Sequence, residues 1–180
     1  GASPSSLWEE LAAGVHTQEL VRKLFRDRQN LSEGDRFEIE IDGDPLKLEN
    51  QRQLVEFKQA VAGTSHGAPP PALTDWQQAQ RSKVGTFLFH GCPPAVAANI
   101  GIEGLLVRPK PTHGRLLNDG IYGAPSPQKA FKYTQERGTT QDWHFMFLCR
   151  FNLKDAKHGN SNGGHEFCVP DPQKVVVLWQ

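Results

Sequence analysis

Three stretches of the chain hold side chains from which a nucleotide site could be assembled. The first is Phe89-His90-Gly91-Cys92, an imidazole at the end of an apolar run with a glycine after it. The second is Asp119-Gly120-Ile121-Tyr122-Gly123-Ala124-Pro125, with another phenol, Tyr133, one helix further on. The third is Gly164-His165-Glu166-Phe167-Cys168-Val169-Pro170-Asp171, a carboxylate that opens a strand after a loop of Gly, Asn and Ser. The common nucleotide and metal motifs are missing from the sequence. There is no G-x-G-x-x-G after a strand, no G-x-x-x-x-G-K followed by Ser or Thr, and no H-E-x-x-H. A nucleotide site must therefore be built another way, and these three stretches together offer one.

Taken in order, the set resembles the catalytic domain of the poly(ADP-ribose) polymerase family, the diphtheria-toxin-like branch of ADP-ribosyltransferases. That family has a strand ending in His-Gly-Ser/Thr, a Gly-Ile-Tyr-Phe-Ala segment, a tyrosine one helix later, and a Glu opening a strand near the C-terminus. This chain has His90-Gly91, Gly120-Ile121-Tyr122, Tyr133 and Glu166, with Gly104-Leu105 where the family has a Gly-Leu pair. The likeness covers roughly residues 84–180; the N-terminal segment does not resemble the family's helical regulatory domain.

The resemblance implies an α+β fold of split antiparallel sheets with flanking short helices. It also implies that NAD+ is a consumed co-substrate, with no metal. His90, Tyr122 and Glu166 would form the catalytic triad. Tyr122 and Tyr133 would sandwich the nicotinamide, a flat cationic ring, with stacking and cation–π attraction of about 0.5–2 kcal/mol per face. Gly91 would bring its backbone to the carboxamide, since no Cβ blocks the approach. His90 would bond a hydroxyl of the adenine-side ribose, and Glu166 the 2′-hydroxyl of the nicotinamide ribose. When the bond to nicotinamide breaks, the ribose becomes oxocarbenium-like, and a carboxylate stabilises that charge. Arg108 stands in a basic cluster with Lys110, His113 and Arg115 that could meet the pyrophosphate. The loop Lys154 to His165 lies where the family presents its acceptor.

The pattern also departs from the family. Cys92 replaces the Ser/Thr after His-Gly, and Gly123 replaces the Phe after Gly-Ile-Tyr. Ala130 stands where many members place a serine that bonds the carboxamide, so one contact worth about 0.5–1.5 kcal/mol is absent from the NAD+ lining. The expected activity is transfer of single ADP-ribose units to a protein acceptor. The alternatives left open are an NAD+- or partner-binding module of the same fold without turnover, an NAD+ glycohydrolase, and an RNA-end-modifying transferase.

Composition bounds these readings. Of 180 residues, 20 are Lys or Arg and 20 are Asp or Glu, so the zero net charge gives no support for a nucleic-acid partner. At 37 % hydrophobic residues the chain can build a core, but no apolar run nears the roughly 20 residues of a membrane span. Gly1 to Gly14 lacks the basic start and apolar centre of a signal peptide. Three cysteines, Cys92, Cys149 and Cys168, with no C-x-x-C pair, argue against a disulfide framework or zinc finger and point to an intracellular, cytoplasmic or nuclear setting.

The elements that must position the site are read from periodicity. Apolar residues Leu7, Leu11, Val15, Leu20 and Leu24 predict one helix over 5–30, and the alternation of 36–41 predicts a half-buried strand. Asp42 to Pro45 reads as a turn and Gln53 to Ala62 as a helix bearing Leu54, Phe57 and Val61. Gly63 to Pro71 reads as a linker, followed by a short helix from Asp75. The domain division is therefore a segment 1–65, a connection 66–83 and a catalytic unit 84–180. Within that unit, strands are expected at 85–90, 143–153, 166–169 and 175–179, and helices at 94–99 and 128–135. Residues 104–119 and Lys157 to Gly164 read as loops. The four tryptophans, Trp8, Trp76, Trp143 and Trp179, read as core anchors.

Overall fold

In the computed structural model, residues 4–29, 37–62, 85–103, 120–135, 138, 143–161 and 164–180 are described. Their strands form two antiparallel three-stranded sheets. Strands β1 (Thr86–Cys92), β3 (Phe145–Phe151) and β6 (Val175–Trp179) make the first, in the order β1-β3-β6. Strands β2 (Ile121–Gly123), β5 (Gly164–Val169) and β4 (Lys157–Ser161) make the second, in the order β2-β5-β4. With helices α1 (Pro4–Leu11), α2 (Gln18–Asp27), α3 (Gln51–Ala62), α4 (Pro94–Glu103) and α5 (Pro127–Phe131), the chain is a mixed α+β protein.

The first sheet is apolar on both faces because both are covered. Along β3, Phe147, Cys149 and Phe151 point one way and pack with Ile121, Phe167 and Val169 of the second sheet and Ala97 and Ile100 of α4. Leu148 points the other way and joins Phe89, Val176 and Leu178 against Leu7, Trp8, Leu11, Val21, Leu54 and Phe57 of the three N-terminal helices. A strand period of two thus sorts these runs into two cores, one on each side of a single sheet.

The N-terminal helices are also tied to this sheet by polar contacts. Trp179 Nε1 donates to Val15 O at 2.8 Å, and the buried Arg150 guanidinium donates to the carbonyls of Leu11, Ala13 and Gly85. The Leu11 and Ala13 carbonyls, at the end of α1, have no further helical turn to accept from, and a cation suits them. Residues 46–48 run beside β6 through Leu46–Gln180 and Leu48–Leu178 backbone bonds.

Several expectations are corrected. The predicted helix over 5–30 is two helices. Gly14 takes a left-handed φ of 97°, and Thr17 caps a new start by accepting from Leu20 N–H at 3.2 Å. Beyond the break it is Val21 that is buried, with Leu24 and Phe25 packed against the core, rather than the expected Leu20. The strand expected at 36–41 is absent from its described part, 37–41. Ile39 instead exchanges both backbone bonds with the Gln29 side-chain amide, which stands in for a neighbouring strand. The loop expected at Lys157 to Gly164 holds β4, paired to β5. Trp8 and Trp179 are core residues in edge-to-face contact at 5.6 Å, but Trp143, just before β3, is 63 % exposed. Trp76, the linker and the helix from Asp75 lie outside the described residues.

Other elements fall where periodicity put them. Helix α3 buries Leu54, Phe57 and Val61, capped by Asn50, which accepts from Gln53 N–H. All three cysteines are buried. Among the described residues, no helix is long and apolar enough to cross a membrane.

Candidate functional site

A pair of backbone bonds joins the two sheets. Phe89 of β1 and Ala124, just after β2, exchange backbone bonds of 2.8 and 2.9 Å. The next residues of each strand then face a common cleft. Phe89, Gly91, Tyr122, Gly123, Ala124, Ala130, Tyr133 and Glu166 surround a small concavity with room for little more than a water molecule. A flat aromatic ring fits there only if the lining side chains part.

His90 reaches β2 from the end of β1. Its Nδ1 donates to the Tyr122 carbonyl at 2.6 Å. A carbonyl only accepts, so Nδ1 carries the proton in the neutral ring. Burial lowers the His90 pKa, and the bond to Tyr122 offsets part of that. A neutral imidazole protonated on Nδ1 leaves Nε2 as an acceptor, the partner a hydroxyl group requires.

Glu166 lies on β5, opposite Gly159 of β4, and Tyr122 pairs with Cys168 on the other edge of the same strand. Because residues 166 and 168 share a face, the carboxylate and the Tyr122 ring occupy one side of the second sheet. Glu166 is only 2 % exposed, and Tyr133 O–H donates to its Oε1. Burial first, then Glu166, pushes the Tyr133 phenol well above its ordinary pKa. The Tyr122 and Tyr133 rings stand 6.2 Å apart at 44°. The chain has two tyrosines, and both line this cleft.

Tyr133 is carried by the turn after α5. Ser126 caps that helix by accepting from Lys129 N–H, Pro127 opens it, and Tyr133 N–H donates to Ala130 O. Gly91 allows this turn to lie against β1: a Cβ there would come within 2.1 Å of Ala130 O and 2.9 Å of Thr134 Cγ2. By the two-residue strand period, the Gly91 N–H and C=O point the way Phe89's do, away from β3 and toward the cleft.

Of the residues singled out from sequence, Gly91, Tyr122, Tyr133, Ala130 and Glu166 line this hollow, while His90 does not line it and sits beside it through its bond to the Tyr122 carbonyl. Arg108 and the rest of its basic cluster lie outside the described residues. Sequence reasoning missed Phe89, Gly123 and Ala124 as lining residues. Gly123 has a readable cause: a Cβ at that position would meet the Phe151 ring at 2.6 Å. The same reasoning also missed the histidine pair on the β4–β5 hairpin, where His158 Nε2 and His165 Nδ1 are 2.8 Å apart. Its signal was Asn162-Gly163, the dipeptide favoured between paired strands, standing between Ser161 and Gly164, which are paired in the register. No group of three or more His, Cys, Asp or Glu side chains suited to a metal occurs among the described residues.

No protein-family model matches the chain, and no curated protein matches it.

Proposed function

We propose that this protein breaks the nicotinamide–ribose bond of NAD+ and transfers ADP-ribose to a protein acceptor, one unit at a time. The observation that carries the reading is the meeting of two tyrosine rings, the Gly91 backbone and a buried carboxylate around one small hollow, with an oriented neutral imidazole bonded to the Tyr122 backbone beside it. We read the pair of split antiparallel sheets as the scaffold of ADP-ribosyltransferases.

In this reading the nicotinamide ring sits between Tyr122 and Tyr133. A ring between them needs a contact distance of about 3.5 Å on each face, so the tyrosines, 6.2 Å apart at 44°, part and turn toward parallel to admit it. Gly91 N–H and C=O serve the carboxamide. Nε2 of His90 accepts from a ribose hydroxyl. Glu166 accepts from the 2′-hydroxyl of the other ribose and faces the positive charge that grows on that sugar. The C–N bond electrons leave with nicotinamide, which becomes neutral. The acceptor's nucleophilic atom then bonds to C1′ and loses its proton to Glu166 or to water. A carboxylate in a dry cleft strengthens such charge stabilisation, an effect on the order of 10²–10³ in rate.

The test is incubation with adenylate-labelled NAD+, following both nicotinamide release and label on protein. Glu166→Ala is expected to lower both by at least about 100-fold. Equal rates for wild type and variant would end the assignment. Release of free ADP-ribose with no labelled protein would reassign the protein as a glycohydrolase.

A second reading, binding without turnover, is favoured by Ala130, whose buried methyl lines the hollow where a hydroxyl would donate to the carboxamide. Calorimetric binding of NAD+ with no nicotinamide release would select it.

A further inference from the structure

Glu166 has its carboxyl group taken almost wholly out of water, yet no Lys or Arg pairs with it among the described residues. Its hydrogen-bond donor there is the Tyr133 hydroxyl. A buried carboxylate needs donors, and a Glu side chain on a strand has three torsions free to move its oxygens. Tyr133 comes from a different element, the turn after α5, where Tyr133 N–H is bonded to Ala130 O and Thr134 Oγ1 donates to Phe131 O at 2.6 Å. The phenol therefore clamps the carboxylate from outside its own sheet.

We propose that Tyr133 works through its hydroxyl as the residue that positions the Glu166 carboxylate, in addition to forming one wall of the ring-binding hollow. The inference rests on the NAD+-cleaving reading and deepens it by giving this ring a second duty. The two duties are mechanically compatible. The phenol oxygen of a tyrosine lies on the axis of its χ2 torsion, which is a soft one. Tyr133 can thus turn its ring toward the plane of Tyr122 without moving its oxygen away from Glu166. Held at Oε1, the carboxylate keeps Oε2 for the sugar. The bond would matter little for holding the ring in place and much for where negative charge sits when the C–N bond breaks. It should accordingly affect kcat more than KM.

Two measurements on the full chain decide this. In the first, steady-state nicotinamide release is compared for wild type and Tyr133→Phe, which keeps the ring and removes the oxygen. The expected result is a kcat lower by about 10- to 100-fold with KM within about threefold. A kcat within about twofold of wild type overturns the positioning role while leaving the NAD+-cleaving reading standing. In the second, tyrosines labelled with carbon-13 at Cζ give two signals, because the chain has two tyrosines. The signal missing from Tyr133→Phe is Tyr133. It should shift clearly in Glu166→Gln, while Tyr122 shifts less. An unmoved Tyr133 signal overturns the clamp. This readout needs no turnover, so a wild-type chain inert toward NAD+ would sink the functional reading while the clamp itself is still decided.

Discussion

His90 is held neutral by its surroundings, and that has a consequence for stability. Its folded pKa lies below the ordinary histidine value of 6.5, chiefly through burial. The unfolded chain therefore binds the proton first as pH falls. The stability linked to a neutral His90 is present above about pH 6.5 and is lost progressively as acid approaches the lowered folded value. His158 and His165 are lowered too and add to the same trend. The melting temperature should thus fall between about pH 7 and pH 5. The fall should be smaller, though not abolished, in His90→Asn; an identical pH dependence in that variant would show that His90 is not buried in its neutral form. At this scale much was legible from sequence. The types and order of His90, Tyr122, Tyr133 and Glu166 stood in plain view. The contact between Tyr133 and Glu166 did not, because it joins groups 33 positions apart on different elements.

At the scale of elements, the cleft depends on how closely the α5 turn approaches β1. Gly91 sets that distance, since any side chain would collide with the backbone of Ala130 rather than with a movable side-chain tip. Gly91→Ala should cost about 3 kcal/mol, at the upper end for overpacking, because a backbone carbonyl cannot step aside. Urea unfolding measures it, and a midpoint within error of wild type would mean the turn has room to retreat. The absence of a Cβ is legible in the sequence; the atom it would strike is not. The same holds for Gly123 against Phe151, where a core ring explains the missing side chain. Strongly apolar strands such as β1, β3 and β6 were legible because burial dominates their composition, and α3 because Leu54, Phe57 and Val61 recur on one face. The elements misread were those whose backbone groups are satisfied across long distances. Gln29 supplies the bonds of Ile39, and β5 supplies those of the polar strand β4.

For the whole molecule, the first 62 residues contribute to the core that backs the site sheet. Trp8 is 2 % exposed, packs edge-on to Trp179, and lies 4.1 Å beneath the Lys47 ammonium. Trp8→Ala should cost about 3–5 kcal/mol and lower the melting temperature by about 10 °C. Because helices and sheet share this core, loss of the N-terminal packing should appear in the same transition as loss of Tyr122 and Tyr133 signals. Two separated transitions would show that the helices fold independently of the cleft.

The sequence by itself determined which stretches are apolar, where helix α3 and the long strands run, and which rare side chains are candidates for chemistry. These are local properties, carried by period, capping residues and composition. Only the tertiary structure decided that Phe89 bridges to Ala124, that Gly91 seats the α5 turn, and that a phenol from that turn meets a carboxylate from β5. Each of these joins segments far apart in the chain. Their closeness follows from burying both faces of one sheet at once, a condition that no window of neighbouring residues contains.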